Sequence, residues 1–295
     1  MEPKYILIGL LIVIAIAFHA FWYLTESGRK HQPGALKPKP IALIVAFIAN
    51  FFDTLGIGSF ATTTSMSKLW GVMPDEKIPG TLNVGYVLAT VVQAVIFMTI
   101  IQVDFVTLIS IIGAAVLGAF LGAGVVAGFN RRQVQIGMGT ALLVASGLMV
   151  LSMSGRGPEP GVALGLSGAK LGIAVGISMV LGALMMLGIG FYGPCMIMIS
   201  LLGMDPRVSY PIMMGACAFL MPSGSVQFVR KGSYDLRTAI AFLIAGPLAV
   251  LIAAPLVDAI PLFQLRILVL VVVLYTAIRM LMSAAQEKAA ARVTA

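Results

Sequence analysis

The stretch LGIGSFATTT, Leu55 to Thr64, interrupts an apolar run that extends from Ile41 to Ser67, and 132 residues later LGIGFYGPC, Leu187 to Cys195, interrupts a second run from Leu171 to Leu202. Gly56 and Gly58 in the first stretch, and Gly188, Gly190, Gly193 and Pro194 in the second, oppose an unbroken helix. Glycine costs about 1 kcal/mol and proline about 3 kcal/mol relative to alanine in a helix interior. As a helix, Ile41 to Leu55 reaches about 22 Å, too short for a hydrocarbon layer of about 30 Å but long enough to pass its midplane. Each stretch therefore reads as the tip of a re-entrant hairpin or the break in a discontinuous helix.

The match between the two stretches continues without a gap. Met66 falls on Met198, Leu69 on Leu201, Gly71 on Gly203, Pro74 on Pro206 and Pro79 on Pro211, so nine of the 25 positions from Leu55 to Pro79 are identical. With one residue less of offset, Asp104 meets Asp235 and Gln133 meets Gln264, which carries the duplication through the later helices.

What surrounds these stretches is membrane-like throughout. Of 295 residues, 60% are hydrophobic and only 10% charged, against about 25% charged in soluble domains. The mean hydropathy is +1.04. Other apolar runs long enough for a helical crossing are Tyr5 to Leu24, Thr81 to Ile101, Phe105 to Gly128, Val134 to Met153, Pro211 to Val229, Thr238 to Val257 and Leu262 to Met282, nine apolar segments in all. The first has about the length of a span rather than of a signal-peptide core and lacks a following A-x-A site, so it reads as a retained anchor. The loop behind it carries Arg29, Lys30, Lys37 and Lys39 and is expected in the cytoplasm, with the N-terminus outside. Leaving out Arg266, which falls within the last span, 12 Lys and Arg lie inside and 6 outside if all nine segments cross; if the two glycine-broken segments turn back, the division is 14 to 4. The hairpin arrangement obeys the positive-inside rule better.

Each repeat then holds one broken segment and three crossing helices. Because three is odd, the second repeat starts on the opposite face, the inverted topology of many secondary transporters. The expected fold is an all-α integral membrane protein. It comprises an N-terminal transmembrane anchor and basic loop (1–40), repeat 1 (41–153), a linker (154–170), repeat 2 (171–283) and a C-terminal tail (284–295) placed in the cytoplasm.

Several functional classes lose support at this stage. The basic residues, net charge +8, stand in short clusters between apolar runs and read as topology signals, not as a nucleic-acid-binding stripe. Cys195 and Cys217 lie in apolar runs without CxxC spacing or a nearby His, so neither a metal site nor a disulfide is expected, and both read as free thiols. No HExxH, no paired carboxylates and no Ser with His and Asp argue for an enzyme, and no cofactor is called for. The lipid bilayer is one partner. The sequence leaves the oligomeric state open, a homodimer included.

The duplicated unit, with LGIGSFATTT and LGIGFYGPC each followed by a GxxP turn (GVMPDEKIP and GMDPRVSYP) and three hydrophobic helices, resembles the TauE/SafE sulfite exporter family, also called the toluene sulfonate uptake permease family, over about residues 41 to 282. Family members often show a richer GxGGG stretch with a later proline, where this chain has Ser59 and Thr62. The resemblance implies a secondary carrier for a small sulfur-containing anion, sulfite or an organosulfonate, working by alternating access with or without proton coupling. A carrier for another small inorganic or carboxylate anion, and a non-transporting membrane assembly protein, are the alternatives.

An oxoanion stripped of water needs hydrogen-bond donors, and helix N-termini supply unpaired amides and a positive dipole end without the cost of a buried Lys or Arg. The half-helices starting after Gly58 and Gly190 should present Ser59, Thr62 and Thr63 from one repeat and Tyr192, Gly193 and Cys195 from the other, with Gly56, Gly58, Gly188 and Gly190 permitting close backbone approach. Ser59, Thr62 and Thr63 could equally bond the preceding turn of their own helix. Asp53 is the only acidic residue inside an apolar segment and the candidate for proton coupling, with hydrogen bonding to the hairpin's own turn amides as its structural alternative. Asn50 precedes it by one turn, and its counterpart in the second repeat is Met185. Asn83, Gln93, Ser223, Ser225 and Gln227 are candidates to line the path, with Pro222 and Gly224 expected to loosen their helix.

Overall fold

The computed structural model describes residues 3–29, 34, 36–126, 131–154, 161–185 and 191–293. They form twelve α-helices and two 3-10 turns, and no strand occurs among the described residues. The helices are α1 (Pro3–Ser27), α2 (Pro40–Thr54), α3 (Ser59–Trp70), α4 (Ile78–Gly85), α5 (Val87–Ile100), α6 (Phe105–Val126), α7 (Arg131–Met153), α8 (Gly168–Met185), α9 (Tyr192–Leu201), α10 (Ser209–Lys231), α11 (Leu236–Ala259) and α12 (Leu262–Val293). The 3-10 turns are Asp75–Lys77 and Pro206–Val208. The protein is an all-α membrane protein. Four helical stretches are long and apolar enough to cross a bilayer (Pro3–Ser27, Gly168–Met185, Pro206–Lys231 and Leu236–Val257), and a fifth span arises if α4 and α5 act together.

Both glycine-rich stretches fall where helices stop. Pro40 opens α2 at a position where a missing amide hydrogen costs nothing. The helix ends at Thr54, and the chain turns through Gly56 at φ 98° and Gly58 at φ 86° before α3 begins at Ser59, the restart expected after Gly58. Gly58 has ψ 122°, outside the left-handed helical well that Asn or Asp can visit, so only glycine fits there. In the second repeat α9 starts at Tyr192; Gly188 and Gly190 lie outside the described residues.

Two sequence expectations need correction. The run Thr81 to Ile101, expected as one crossing helix, is two, α4 and α5, bent by 44° at Tyr86. The cause is tertiary: Tyr86 turns inward to stack on Phe242 and to bond Thr63, and a Cβ on neighbouring Gly85 would come within 2.8 Å of Phe242 Cβ. Conversely, Pro222 and Gly224 do not break α10, which runs continuously from Ser209 to Lys231. Proline inside a membrane helix is tolerated because neighbouring helices and side chains can meet the backbone group it frees.

The chain divides into two compact units, Met1–Ile101 with Met214–Ala259, and Gln102–Met213 with Ile260–Ala295, which cut across the sequence repeats. In the first unit α11 packs along α2, α4 and α5, while α1 lies against α5. Gly246 permits that closeness, since a Cβ there would stand 2.9 Å from Ala89 Cβ and 3.3 Å from Asn50 Nδ2. A polar chain ties down the end of α1. Trp22 Nε1 donates to Tyr234 Oη at 2.8 Å, Tyr234 donates to the buried Glu26 at 2.7 Å, and Glu26 pairs with Arg29. Arg29 in turn donates to the carbonyl of Val229 at 2.6 Å, which also accepts from Gly232 N at 3.2 Å where α10 ends.

In the second unit α6 crosses α8 through reciprocal glycines. A Cβ on Gly118 would sit 1.9 Å from the Met179 carbonyl oxygen, and one on Gly182 2.0 Å from that of Ala115, so the backbones touch. α7 pairs with α12, and α9 contacts both of them and α8. α6 opens on Asp104, whose carboxylate accepts from Thr107 N and Oγ1, each at 2.8 Å. α11 in the first unit opens the same way on Asp235, which accepts from Thr238 N at 2.9 Å.

Candidate functional site

The expected site residues of the first repeat gather around one carboxylate. Asp53 lies in the last turn of α2, 3% exposed, and reaches over the break so that its Oδ1 accepts from the backbone amide of Ser59, the first residue of α3. Its Oδ2 accepts from Gln93 Nε2 on α5 at 2.8 Å. The same Nε2 donates to Thr54 Oγ1 at 3.0 Å, and Thr54 Oγ1 donates back to the Asn50 carbonyl at 2.7 Å. Gln93 is wholly buried and its Oε1 has no hydrogen-bond partner. An orphaned buried acceptor costs roughly 1–3 kcal/mol, a cost with no packing explanation here.

A second layer encloses the cluster. Thr63 on α3 and Tyr86 share a hydrogen bond of 2.8 Å, both side chains are buried, and Tyr86 stacks on Phe242 of α11 with ring centroids 4.4 Å apart and planes 9° from parallel. Asn50 donates to the Ala46 carbonyl at 2.9 Å and also stands close to the Tyr86 hydroxyl. The helix break, α5, the α4–α5 bend and α11 thus all bear on this point. Tyr86, Thr54 and Phe242 escaped the sequence reading. A tyrosine in the middle of an apolar run was the available signal for the first of them.

Other expected residues stand elsewhere. Thr62 Oγ1 bonds its own helix, to Ser59 O at 2.9 Å and Gly58 O at 3.2 Å. Asn83 likewise bonds back to the Pro79 carbonyl at 2.9 Å, and Ser223 and Gln227 are exposed on α10. Ser225 is buried and its Oγ lacks a partner. In the second unit Tyr192, Gly193 and Cys195 are buried on α9 and Gly193 lies against Thr276, and neither Cys195 nor Cys217 is in a disulfide. Where the first repeat has Asp53, Ser59 and Thr63, these positions carry Met185, Phe191 and Cys195, so the polar chemistry belongs to one repeat. A cavity of about 600 Å³ between α1 and α5 is lined by Ile12, Ile16, His19, Val91 and Val95. Its walls are almost wholly apolar, which suits lipid chains, and it does not include the Asp53 cluster.

Compared with family models, curated proteins and solved structures, the chain matches none. Its class therefore rests on the molecule itself: an all-α membrane protein whose buried polar cluster sits at a break between two short apolar helices.

Proposed function

We propose that the protein is a secondary transporter that carries a small sulfur-containing anion, sulfite or an organosulfonate, across the cytoplasmic membrane by alternating access. The observation that carries the reading is the break between α2 and α3, because irregular backbone at membrane depth persists where it lines protein or a water-filled path, and here it holds a buried acid with polar partners. A scaffold has no use for such a break.

Local structure repeated at the same offset supports an inverted-repeat carrier of the TauE/SafE type. Shifting by 131 or 132 residues takes α2 and α3 to α8 and α9, the turn Asp75–Lys77 to Pro206–Val208, and the Asp104–Thr107 cap to Asp235–Thr238. The same shift takes the packed pair α2 and α11 to the packed pair α8 and α6. In this reading the N-terminus is outside, the C-terminus is cytoplasmic, and Asp53 is the proton-coupling residue.

Flux into liposomes holding the purified protein tests the proposal, with sulfite, sulfate, thiosulfate, small sulfonates and small carboxylates offered in turn. Saturable uptake of sulfite or a sulfonate is the expected result. Uptake confined to carboxylates would replace the substrate class, and no uptake of any of them would leave an assembly role.

A further inference from the structure

We infer that Asp53 is an internal stand-in for the transported anion, so that a proton must neutralise it before the anion can bind and the two enter the site together. The inference rests on the carrier reading and specifies its coupling. In the present state the first amide of α3, where an incoming oxoanion would seek its donor, already gives its hydrogen to Asp53 Oδ1. The other carboxylate oxygen consumes Gln93 Nε2. With Asp53 ionised, the Ser59 amide and both Nε2 hydrogens of Gln93 are taken, and the Gln93 atom left unpaired is an acceptor, Oε1. An anion meets a full site and an oxygen that repels it.

One proton reverses this balance. Taken from water, it forms an O–H bond on Asp53, and the protonated carboxyl becomes a donor. Gln93 Oε1, the orphan, accepts it once the amide turns over, which frees the Nε2 hydrogens from Asp53 and Thr54 and leaves the Ser59 amide on a neutral carbonyl oxygen in place of a carboxylate. Freed amide hydrogens beside a helix N-terminus that only a neutral oxygen holds favour an anion. For a monoanion the pair of events adds one positive and one negative charge, so the loaded site keeps the net charge of the empty one, and the cost of burying a lone charge is avoided.

The groups around Asp53 are compatible with this role. Tyr86, at the α4–α5 bend, is the titratable neighbour and bonds Thr63 of α3; α5 contributes Gln93, and α11 contributes the non-titrating Phe242 and Gly246. The second repeat carries Met185 at the matching position. One carboxylate per chain gives one proton per transport cycle.

The experiment counts protons on anion binding. Calorimetric titrations with thiosulfate and methanesulfonate, whose charges do not change between pH 5 and 8, are run on detergent-purified protein in buffers of different ionisation enthalpy. The wild type should take up about one proton per anion, and its affinity should fall about tenfold per pH unit once Asp53 is ionised in the empty protein. Asp53→Asn should bind with no proton uptake and with pH-independent affinity. Ser59→Pro removes the amide hydrogen together with the hydroxyl, at a helix position that tolerates proline, and should weaken binding at least tenfold at low pH without loss of monodispersity, whereas Ser59→Ala, which removes the hydroxyl alone, should not. Anion binding by the wild type without proton uptake, or equal uptake by Asp53→Asn, would overturn the Asp53 role while leaving a carrier. Failure of the wild type to bind or transport any anion of the flux panel would overturn both readings.

Discussion

Replacing Gly58 tests whether the helix break is a conformational requirement. Nothing lies within 4 Å of a Cβ built on Gly58, so an added methyl group meets no neighbour, and the whole penalty must come from φ 86° with ψ 122°. Backbone strain of this kind costs an L-residue about 1–3 kcal/mol. Gly58→Ala should therefore lower stability by about 2 kcal/mol, or about 3 °C in Tm for a chain of 295 residues. Gly71 supplies the contrast: it is also free of neighbours but has φ 59° and ψ 39°, the left-handed helical well. Asn enters that well readily. Gly71→Asn should then be milder than Gly71→Ala, whereas Gly58→Asn should be as damaging as Gly58→Ala. The assay is thermal unfolding of the four variants in one detergent, followed by fluorescence-detected size exclusion. A Gly58→Ala protein as stable as the wild type, or rescue by Gly58→Asn, would refute the argument that only glycine fits the break.

Other consequences are open to simpler tests. Gly118→Val or Gly182→Val would drive a side chain into a facing carbonyl; each should cost more than about 3 kcal/mol, beyond the usual overpacking penalty, and yield little monodisperse protein, a result that normal yield would contradict. Tyr234→Phe removes the hydroxyl shared by Trp22 and Glu26 and should destabilise by about 1–3 kcal/mol, read as a fall in Tm. Burial alone would raise the pKa of Asp235, but hydrogen bonds from Thr238 and Lys39 outweigh it and hold the carboxyl below its usual range. Its contribution is therefore complete above the ordinary carboxylate pKa and lost as pH falls through the lower folded value. Asp235→Asn keeps a good N-cap but loses the Lys39 ion pair at 3.1 Å; it should lose up to about 1 kcal/mol at neutral pH, and its gap to the wild type should close under strongly acidic conditions. For topology, single cysteines near Lys77 and Arg131 should resist an impermeant thiol reagent added from outside, and one near Glu159 should react; labelling near Lys77 would defeat the inverted-repeat assignment.

Composition and local pattern determined a great deal by themselves. An excess of apolar residues over any water-facing shell leaves only the bilayer as solvent, and a backbone deprived of water closes its hydrogen bonds within helices. The stop of α2 and the start of α3 were readable because Gly56 and Gly58 act through φ and ψ, properties of the residue and its immediate neighbours. Asp53 stood out because a lone acid in an apolar run needs a reason. Its partners did not. Gln93 lies 40 positions away, and the bend at Tyr86 exists because Phe242, on a helix from the other repeat, offers a ring to stack on. Likewise Pro222 carries a local signal for a break, yet α10 runs on through it, because neighbouring helices and side chains in a membrane fold can meet the backbone group that proline frees. Periodicity shows which residues share a helix face, but which face meets which is decided by packing, where a missing Cβ at Gly246 or Gly118 sets how closely two backbones approach. The hydrogen-bond state of Asp53 belongs to that second kind of information, since Ser59 of α3 and Gln93 of α5 are brought to it on α2 only by the fold.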